Sequence, residues 1–423
     1  MENNVLLKNC KTDQGVKNIH IIDDKINYVG VETPKSLQVL DMNGFLIIPG
    51  MIDPHVHLRD MEQIEKEDWL TGSKAAINGG VTFVFDMPNT IPATICCRAL
   101  ERKQRAAHKS LINKKFYLGS NGENLYYIEK MLDENFSEIA GIKIFLAASS
   151  SNEVMNYKYL DELLKLAKKY DVIVSVHSEL KDCIDKYSKL YDHNILNHNM
   201  LRNKECSIQG TKNIIESSAK IGNKLYICHV STKEEIEIIK QYKQDYPVYC
   251  EITPHHLLLN EEILKIVGNI GKVNPPLRTK TDNEALWQAI DDNIVDTIGS
   301  DHAPHKLSEK NLEYDKAPSG FPGLETSLHL LINEMQKGNI SLEKLIQLTS
   351  TNAAKIFKIQ NRGELKTGYF ADLAVIDLDK SWKIDSSKFQ TKAKYSPFDG
   401  FEMKGKVVKT FVGGKMFEIN TIH

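Results

Sequence analysis

Between Asp53 and about Phe357 the apolar positions of this chain switch repeatedly between two periods. Short β-branched and aromatic runs, "FLIIPGMID", "VTFVFDM", "KKFYLGS", "GIKIFLA", "VIVSVHS", "KLYICHV", "VYCEIT" and "DTIGSD", read as buried strands. Between them "EDWLTGSKAAINGG", "NYKYLDELLKLAKKY", "SIQGTKNIIESSAKIG" and "TKEEIEIIKQYKQ" repeat their apolar residues at three and four positions, the spacing of a helix with one buried stripe. Strand and helix alternating through eight cycles predict an α/β fold, a (β/α)8 TIM barrel. A doubly wound open sheet is the alternative.

The two ends of the chain follow a different pattern. Residues 1–50 contain "NVLLKNC", "NIHIIDDKINYVG" and "FLIIPG", and residues 361–423 contain "ADLAVIDLD", "WKID" and "KVVKTFVGGKMFE". These are short alternating strands separated by turn residues, and neither set is large enough to form a core alone. They predict one small composite β-sandwich, half from each terminus, beside a barrel over 51–360.

Composition narrows the function. The 423 residues are 41% hydrophobic and 26% charged, as expected of a large globular core. A formal net charge of −2 argues against a nucleic-acid surface or a polybasic membrane face. No apolar run is long enough to span a bilayer, and the amino terminus lacks the basic and apolar regions of a signal peptide. Seven scattered cysteines, odd in number and without a Cys-x-x-Cys pair, suit a reduced, cytoplasmic compartment.

In a barrel, reactive groups gather where strands end. The first predicted strand runs into "DPHVHLRD", and its period of two sends His55, His57 and Arg59 to one face. Asn89 follows the second strand, Lys143 lies in the fourth, and His177 and His229 end the fifth and sixth. Asp301, His302 and His305 follow the eighth. Taken singly, each has a structural explanation, such as a core imidazole or a helix cap. Recurrence at equivalent places on successive strands favours a shared site. Four imidazoles and a carboxylate suit two divalent ions such as Zn2+, and such a pair needs an anionic bridge. Lys143 as an ammonium would be repelled there. A lysine with a depressed pKa can instead react with CO2 to give an anionic carbamate.

"DPHVHLRD", "DMPNTIPAT", "GIKIFLAASS", "VHSE", "CHVST", "EITPHHL", "VNPPLR", "SDHAPH" and "APSGFPGLETS", in this order, resemble the dihydroorotases of the amidohydrolase superfamily. The ending "GELKTGYFADLAVIDLD" with "VVKTFVGGK" is similar to that superfamily's second β-half. The resemblance implies two zinc or similar ions: one held by His55, His57 and Asp301, the other by His177 and His229, with carboxylated Lys143 bridging both. It implies that Arg59, Asn89 and His305 grip a substrate carboxylate, and that Asn274 with the main chain at Ser319-Gly320 holds the ring's amide edges. The implied reaction is reversible cyclisation of N-carbamoyl-L-aspartate to (S)-dihydroorotate in pyrimidine biosynthesis. In the hydrolytic direction a metal-activated hydroxide attacks the ring amide, and Asp301 acts as general base and then general acid. Implied partners are this small substrate, further copies of the chain as a homodimer or higher homo-oligomer, and aspartate transcarbamoylase. Hydantoinases, dihydropyrimidinases and allantoinases share the His-x-His region, and a non-catalytic scaffold for the transcarbamoylase is a further alternative.

One departure stands out: where the family often reads Glu-Pro-Gly after "HLR", this chain has Asp60, Met61 and Glu62. "AASSSNEVMN" (147–156) falls where the family carries a mobile loop over the substrate. His255 and His256 fit either support of the site or a core role. Alternation turns His302 and Cys228 away from the metals, and His20, His108, His193, His198, His329 and His423 have no site context.

Overall fold

The computed structural model describes residues 4–147 and 154–419; most of the 147–156 loop therefore lies outside the described residues. The predicted barrel is present. Its strands are β6 (Met51–Val56), β7 (Val81–Asp86), β8 (Asn113–Gly119), β9 (Ile139–Phe145), β10 (Val174–His177), β11 (Leu225–Ile227), β12 (Val248–Ile252) and β13 (Thr297–Ile298). Each pairs in parallel with its neighbour in the chain, in the order β13-β12-β11-β10-β9-β8-β7-β6. The two edges meet where Val56 bridges His302 and the His57 amide donates to the His302 carbonyl at 2.8 Å. Every residue of β6, β7 and β9 is buried, which is why these strands read as continuous apolar runs: a parallel sheet is covered on both faces.

Helices follow the strands, and several begin at side chains suited to the task. Those at Trp69–Asn78, Lys233–Tyr242 and Lys280–Asp291 start behind Asp68, Thr232 and Thr279, each of which closes a reciprocal capping box. Inside the barrel, Phe357 plugs the end opposite the strand tips, 4.7 Å from Phe85 and 5.1 Å from Tyr226 between ring centroids.

The termini share one sheet. It comprises β1 (Asn4–Thr12), β2 (Gly15–Ile22), β3 (Lys25–Gly30), β4 (Gln38–Asp41), β5 (Leu46–Pro49), β14 (Leu373–Lys383), β15 (Glu402–Val412) and β16 (Lys415–Glu418), in the order β16-β15-β14-β5-β1-β2-β3, with β4 on β1. The halves are stitched by β5 against β14, Pro49 opposite Leu373 and Leu46 opposite Ile376. Alternation sorts their side chains: Ile47, Leu373 and Val375 enter this sheet's own core, while Leu46, Ile48, Ala374 and Ile376 join the barrel's.

Two elements differ from the pattern-based reading. "FLIIPGMID" is two strands, because at Gly50 the chain leaves one sheet for the other. A Cβ there would sit 2.3 Å from the Thr82 side chain, so only glycine permits the crossing. "ADLAVIDLD" and "WKID" fall in a single strand, β14, whose register shifts between Asp377 and Ser381. Cysteine chemistry also differs: Cys183 and Cys206 are joined in a disulfide between the helices Lys181–Tyr187 and Lys204–Ile221. Their 23-residue separation carries no recognisable spacing motif, so the pairing could not be read from sequence. Among the described residues, no helix is long and apolar enough to cross a membrane.

Candidate metal centre

The carboxyl ends of the barrel strands converge on one buried group of side chains. The ligand atoms of His55, His57 and Asp301 all lie within 4.8 Å of one another. Asp301 Oδ1 is 3.3 Å from His55 Nε2 and 3.1 Å from His57 Nε2. Beside them, His177 Nδ1 and His229 Nε2 face each other at 3.0 Å, and the His229 ring centroid is 5.2 Å from that of His55. Lys143, fully buried, lies close by: its Nζ donates to Cys228 Sγ at 2.9 Å, and Cys228 in turn groups with His55 and Glu251. Cys228 is therefore at the site rather than turned away from it. Alternation itself carries it inward, on the face of Tyr226 and opposite Leu225 and Ile227; the period of two breaks at His229, past the end of β11, where φ is 37.

The outward nitrogens of three imidazoles are anchored, which aims the remaining nitrogen inward. His55 Nδ1 bonds Glu251 Oε1 at 2.8 Å, His57 Nδ1 bonds Asn89 Oδ1 at 2.6 Å, and His177 Nε2 bonds Glu179 Oε2 at 2.9 Å. Such outer partners set the tautomer and orientation of metal-binding histidines. Glu251 does more than hold one ring. Its Oε1 also accepts the His229 amide at 2.9 Å and its Oε2 the Tyr226 hydroxyl at 2.8 Å. Arg202 supports Glu179 from behind through Nε at 3.1 Å and Nη2 at 2.6 Å.

Electrostatics favour lone pairs over N–H groups at most of these rings. Burial draws His57 down to about 3, draws His177 below the usual range, and, with His177 beside it, holds His229 well below. His55 is the exception. Burial opposes its charge, yet Glu251 and Asp301 raise it to about 10. Asp301 is held below the ordinary carboxylate range, burial being outweighed by His55 and His57. Clustered imidazoles with a carboxylate form a donor set suited to divalent ions of intermediate softness. His229 Nδ1, His255 Nε2 and Arg59 Nη1 are buried polar atoms without a hydrogen-bond partner among the described residues.

Arg59, His305 and Ser319 form an adjacent cluster. Arg59 Nη2 is 3.1 Å from His305 Nε2, which is 3.1 Å from the Ser319 carbonyl, and Arg59 Nε donates to the Pro304 carbonyl at 3.2 Å. Tyr395, from the segment after β14, places its hydroxyl 3.3 Å from the His305 amide. Here the departure at Asp60 has a structural expression: Arg59, Asp60 and Met61 take φ of 57, 54 and 49 in succession. Side-chain-bearing residues reach that left-handed region at a cost, which surrounding bonds must offset. Asp60 supplies one, its Oδ2 accepting the Trp69 amide at 3.1 Å.

Other expected residues are placed less directly. Asn89 commits its Oδ1 to His57. Gly320 donates its amide to the Lys272 carbonyl at 2.8 Å, and the Ser319 carbonyl is engaged by His305. Asn274 and Ser319 line a cleft of about 300 Å3 together with His193, His198, Arg202 and Tyr314, which gives two histidines without sequence context a place beside these two residues. His302 faces away, accepting the Gly323 amide at 3.1 Å. His256 bonds Thr253 at 2.8 Å and the Pro275 carbonyl at 3.1 Å, whereas His255 meets Phe321 edge to face, with ring centroids 5.0 Å apart. Glu179, Arg202, Tyr226 and Glu251 were not foreseen. The available signal was an acid inside an apolar strand ("VYCEIT") and one two residues past His177 ("VHSE").

The sequence profile of the amidohydrolase family matches residues 46–417. The chain is 35% identical to a dihydroorotase of Methanosphaera stadtmanae over 98% of this chain and 96% of that one. It is 36% identical to a dihydroorotase of Pyrococcus abyssi, covering 88% and 83% respectively. Among solved structures, an L-hydantoinase (dihydropyrimidinase) from Arthrobacter aurescens superposes with a TM-score of 0.94 at 29% identity, over 98% of this chain and 96% of that one. A dihydropyrimidinase from Brevibacillus agri gives 0.92 at 26% identity, over 99% and 95%.

Proposed function

The chain belongs to the amidohydrolase family, and from that premise we propose that this cyclic amidohydrolase is a dihydroorotase, interconverting N-carbamoyl-L-aspartate and (S)-dihydroorotate. One observation carries the choice of substrate. Arg59, on the same strand end as His55 and His57, is buried, and its Nη1 has no hydrogen-bond partner among the described residues. A guanidinium in that state suits a substrate carboxylate, and neutral hydantoin or dihydrouracil rings offer none.

His55, His57 and Asp301 would hold one divalent ion, His177 and His229 a second, and carboxylated Lys143 would bridge them; zinc is our assignment for both. When bound, the ions supply Lewis acidity toward the scissile carbonyl. The remaining work falls to the chain's own groups. Arg59 and His305, with Asn89, would orient the carboxylate, while Asn274 and the Ser319-Gly320 main chain would hold the ring edge. Asp301 would take the proton of the attacking water and return it to the departing ring nitrogen. The relatives' names support the dihydroorotase reading; cytoplasmic residence, a homo-oligomer and association with aspartate transcarbamoylase are our own additions to it. Likeness to the Arthrobacter enzyme favours a second reading, hydrolysis of hydantoins or dihydropyrimidines.

Purified protein should be assayed in parallel on dihydroorotate, hydantoin, dihydrouracil and allantoin, beside Arg59→Lys. We expect dihydroorotate to be turned over best, and the variant to raise KM for it roughly tenfold or more, the scale of one lost charge-assisted bond. Turnover of hydantoin or dihydrouracil without dihydroorotate would transfer the assignment to the second reading.

A further inference from the structure

The opposite end of the barrel, where the strands begin, contains a cavity of about 470 Å3. That volume falls within the range of about 300–1,000 Å3 usual for small-molecule sites. Phe83, Ile173 and Phe357 form apolar walls, and Phe136 stands half-exposed at the lip. Cations dominate its polar lining, and most are already neutralised. Lys224 pairs with Asp171 at 2.5 Å, Lys358 pairs with the same carboxylate, and Arg362 pairs with Asp372.

Lys114 and Lys115, adjacent at the start of β8, are different. Both are partly buried in the cavity wall, and neither forms an ion pair with a carboxylate among the described residues. Lys115 Nζ reaches only the Ile139 carbonyl, at a long 3.4 Å. Burial lowers both amines below the ordinary lysine range, opposed only in part at Lys114 by Glu138 in the same lining. Lysines on a barrel rim commonly lay their stems over apolar surface and extend their heads to water. These two instead partly desolvate their ammonium groups beside an aromatic-walled space, an arrangement that an incoming anion would relieve.

We propose that this cavity binds a small anion carrying a flat apolar body, an aromatic phosphate or carboxylate, with Lys114 and Lys115 as its charged contacts and the phenylalanines against its ring. The site is separate from the metal centre, at the other end of the barrel.

Phenyl phosphate is a suitable probe, titrated calorimetrically into the full-length protein beside phenol and inorganic phosphate. We expect saturable binding of phenyl phosphate, tighter than either fragment. Binding should weaken at least about tenfold in Lys114→Ala/Lys115→Ala, the scale of one lost charge-assisted contact, and much less in Lys114→Arg/Lys115→Arg. Circular dichroism and basal hydrolase activity should be unchanged in both variants, which separates a lost site from a lost fold. Arg59→Met locates the binding: loss there with retention in the double alanine variant would place the probe at the metal centre and overturn the proposal. Absence of saturable binding, or equal binding by wild type and the double alanine variant, would overturn it as well.

Discussion

Glu251 offers the sharpest test of how the metal centre is built. Its carboxylate is fully buried and accepts three bonds, from His55 Nδ1 (2.8 Å), the His229 amide (2.9 Å) and the Tyr226 hydroxyl (2.8 Å). Replacement by alanine strands the first two donors, whereas Tyr226 retains Thr297 Oγ1 at 2.6 Å. Two buried donors left unsatisfied at about 1–3 kcal/mol each predict a loss of about 2–6 kcal/mol in urea unfolding. Glu251→Gln is the discriminating variant. An amide oxygen can keep both bonds made by Oε1, and its NH2 can donate to Tyr226, so packing survives. What disappears is the negative charge that raises the basicity of His55. Metal affinity, measured by competition with a chromophoric chelator, should fall about 10–100-fold while stability changes by little more than about 1 kcal/mol. Wild-type metal affinity in Glu251→Gln, together with an alanine variant unfolding within about 0.5 kcal/mol of wild type, would refute the account of Glu251 as the support shared by two ligand strands.

Lys143→Ala should lose bound metal along with activity, read by elemental analysis of the purified protein, and the wild type incubated with 13C-bicarbonate should show a carbamate carbon resonance that the variant lacks. Lys103 makes a buried pair with Asp86 at 2.6 Å, and Asp86 also accepts the Leu58 amide at 2.7 Å beside the site. Lys103→Met leaves that carboxylate uncompensated and should destabilise the fold by about 3–5 kcal/mol in denaturant melts. Burial raises Glu325 to about 7 from an ordinary 4.5, although Gln390, Thr391 and Asn78 donate to it. The folded state then holds a proton that the unfolded state lacks between those values, so this group's contribution falls as pH rises through the window, by up to about 3 kcal/mol. Glu325→Gln should flatten the dependence of unfolding free energy on pH from 5 to 7.5, and parallel curves for the two proteins would count against it.

Much of this was legible in the residue order. Two periodicities were enough to predict the barrel, because parallel strands buried on both faces leave uninterrupted apolar runs. A period of two was also enough to bring His55 and His57 together. It failed at His229, past the end of its strand, where a positive φ brings that ring to the site along with Cys228. The supporting acids were harder to see, since Glu179 and Glu251 resemble any other carboxylate until the imidazoles they hold are in place. Asn89, expected to touch substrate, also bonds His57 through its oxygen, a second task that its residue type did not announce. Nothing local marks Cys183 and Cys206 as partners, because helix packing alone brings them together.

The pairing of β5 with β14 has a consequence for synthesis. Pro49 has to wait for Leu373 before that ladder can close. At ribosomal speeds of about 5–20 residues per second the delay is roughly 15–65 s. Throughout it, the edge of β5 is an open template for any other nascent chain, and the barrel between the two strands is free to form first.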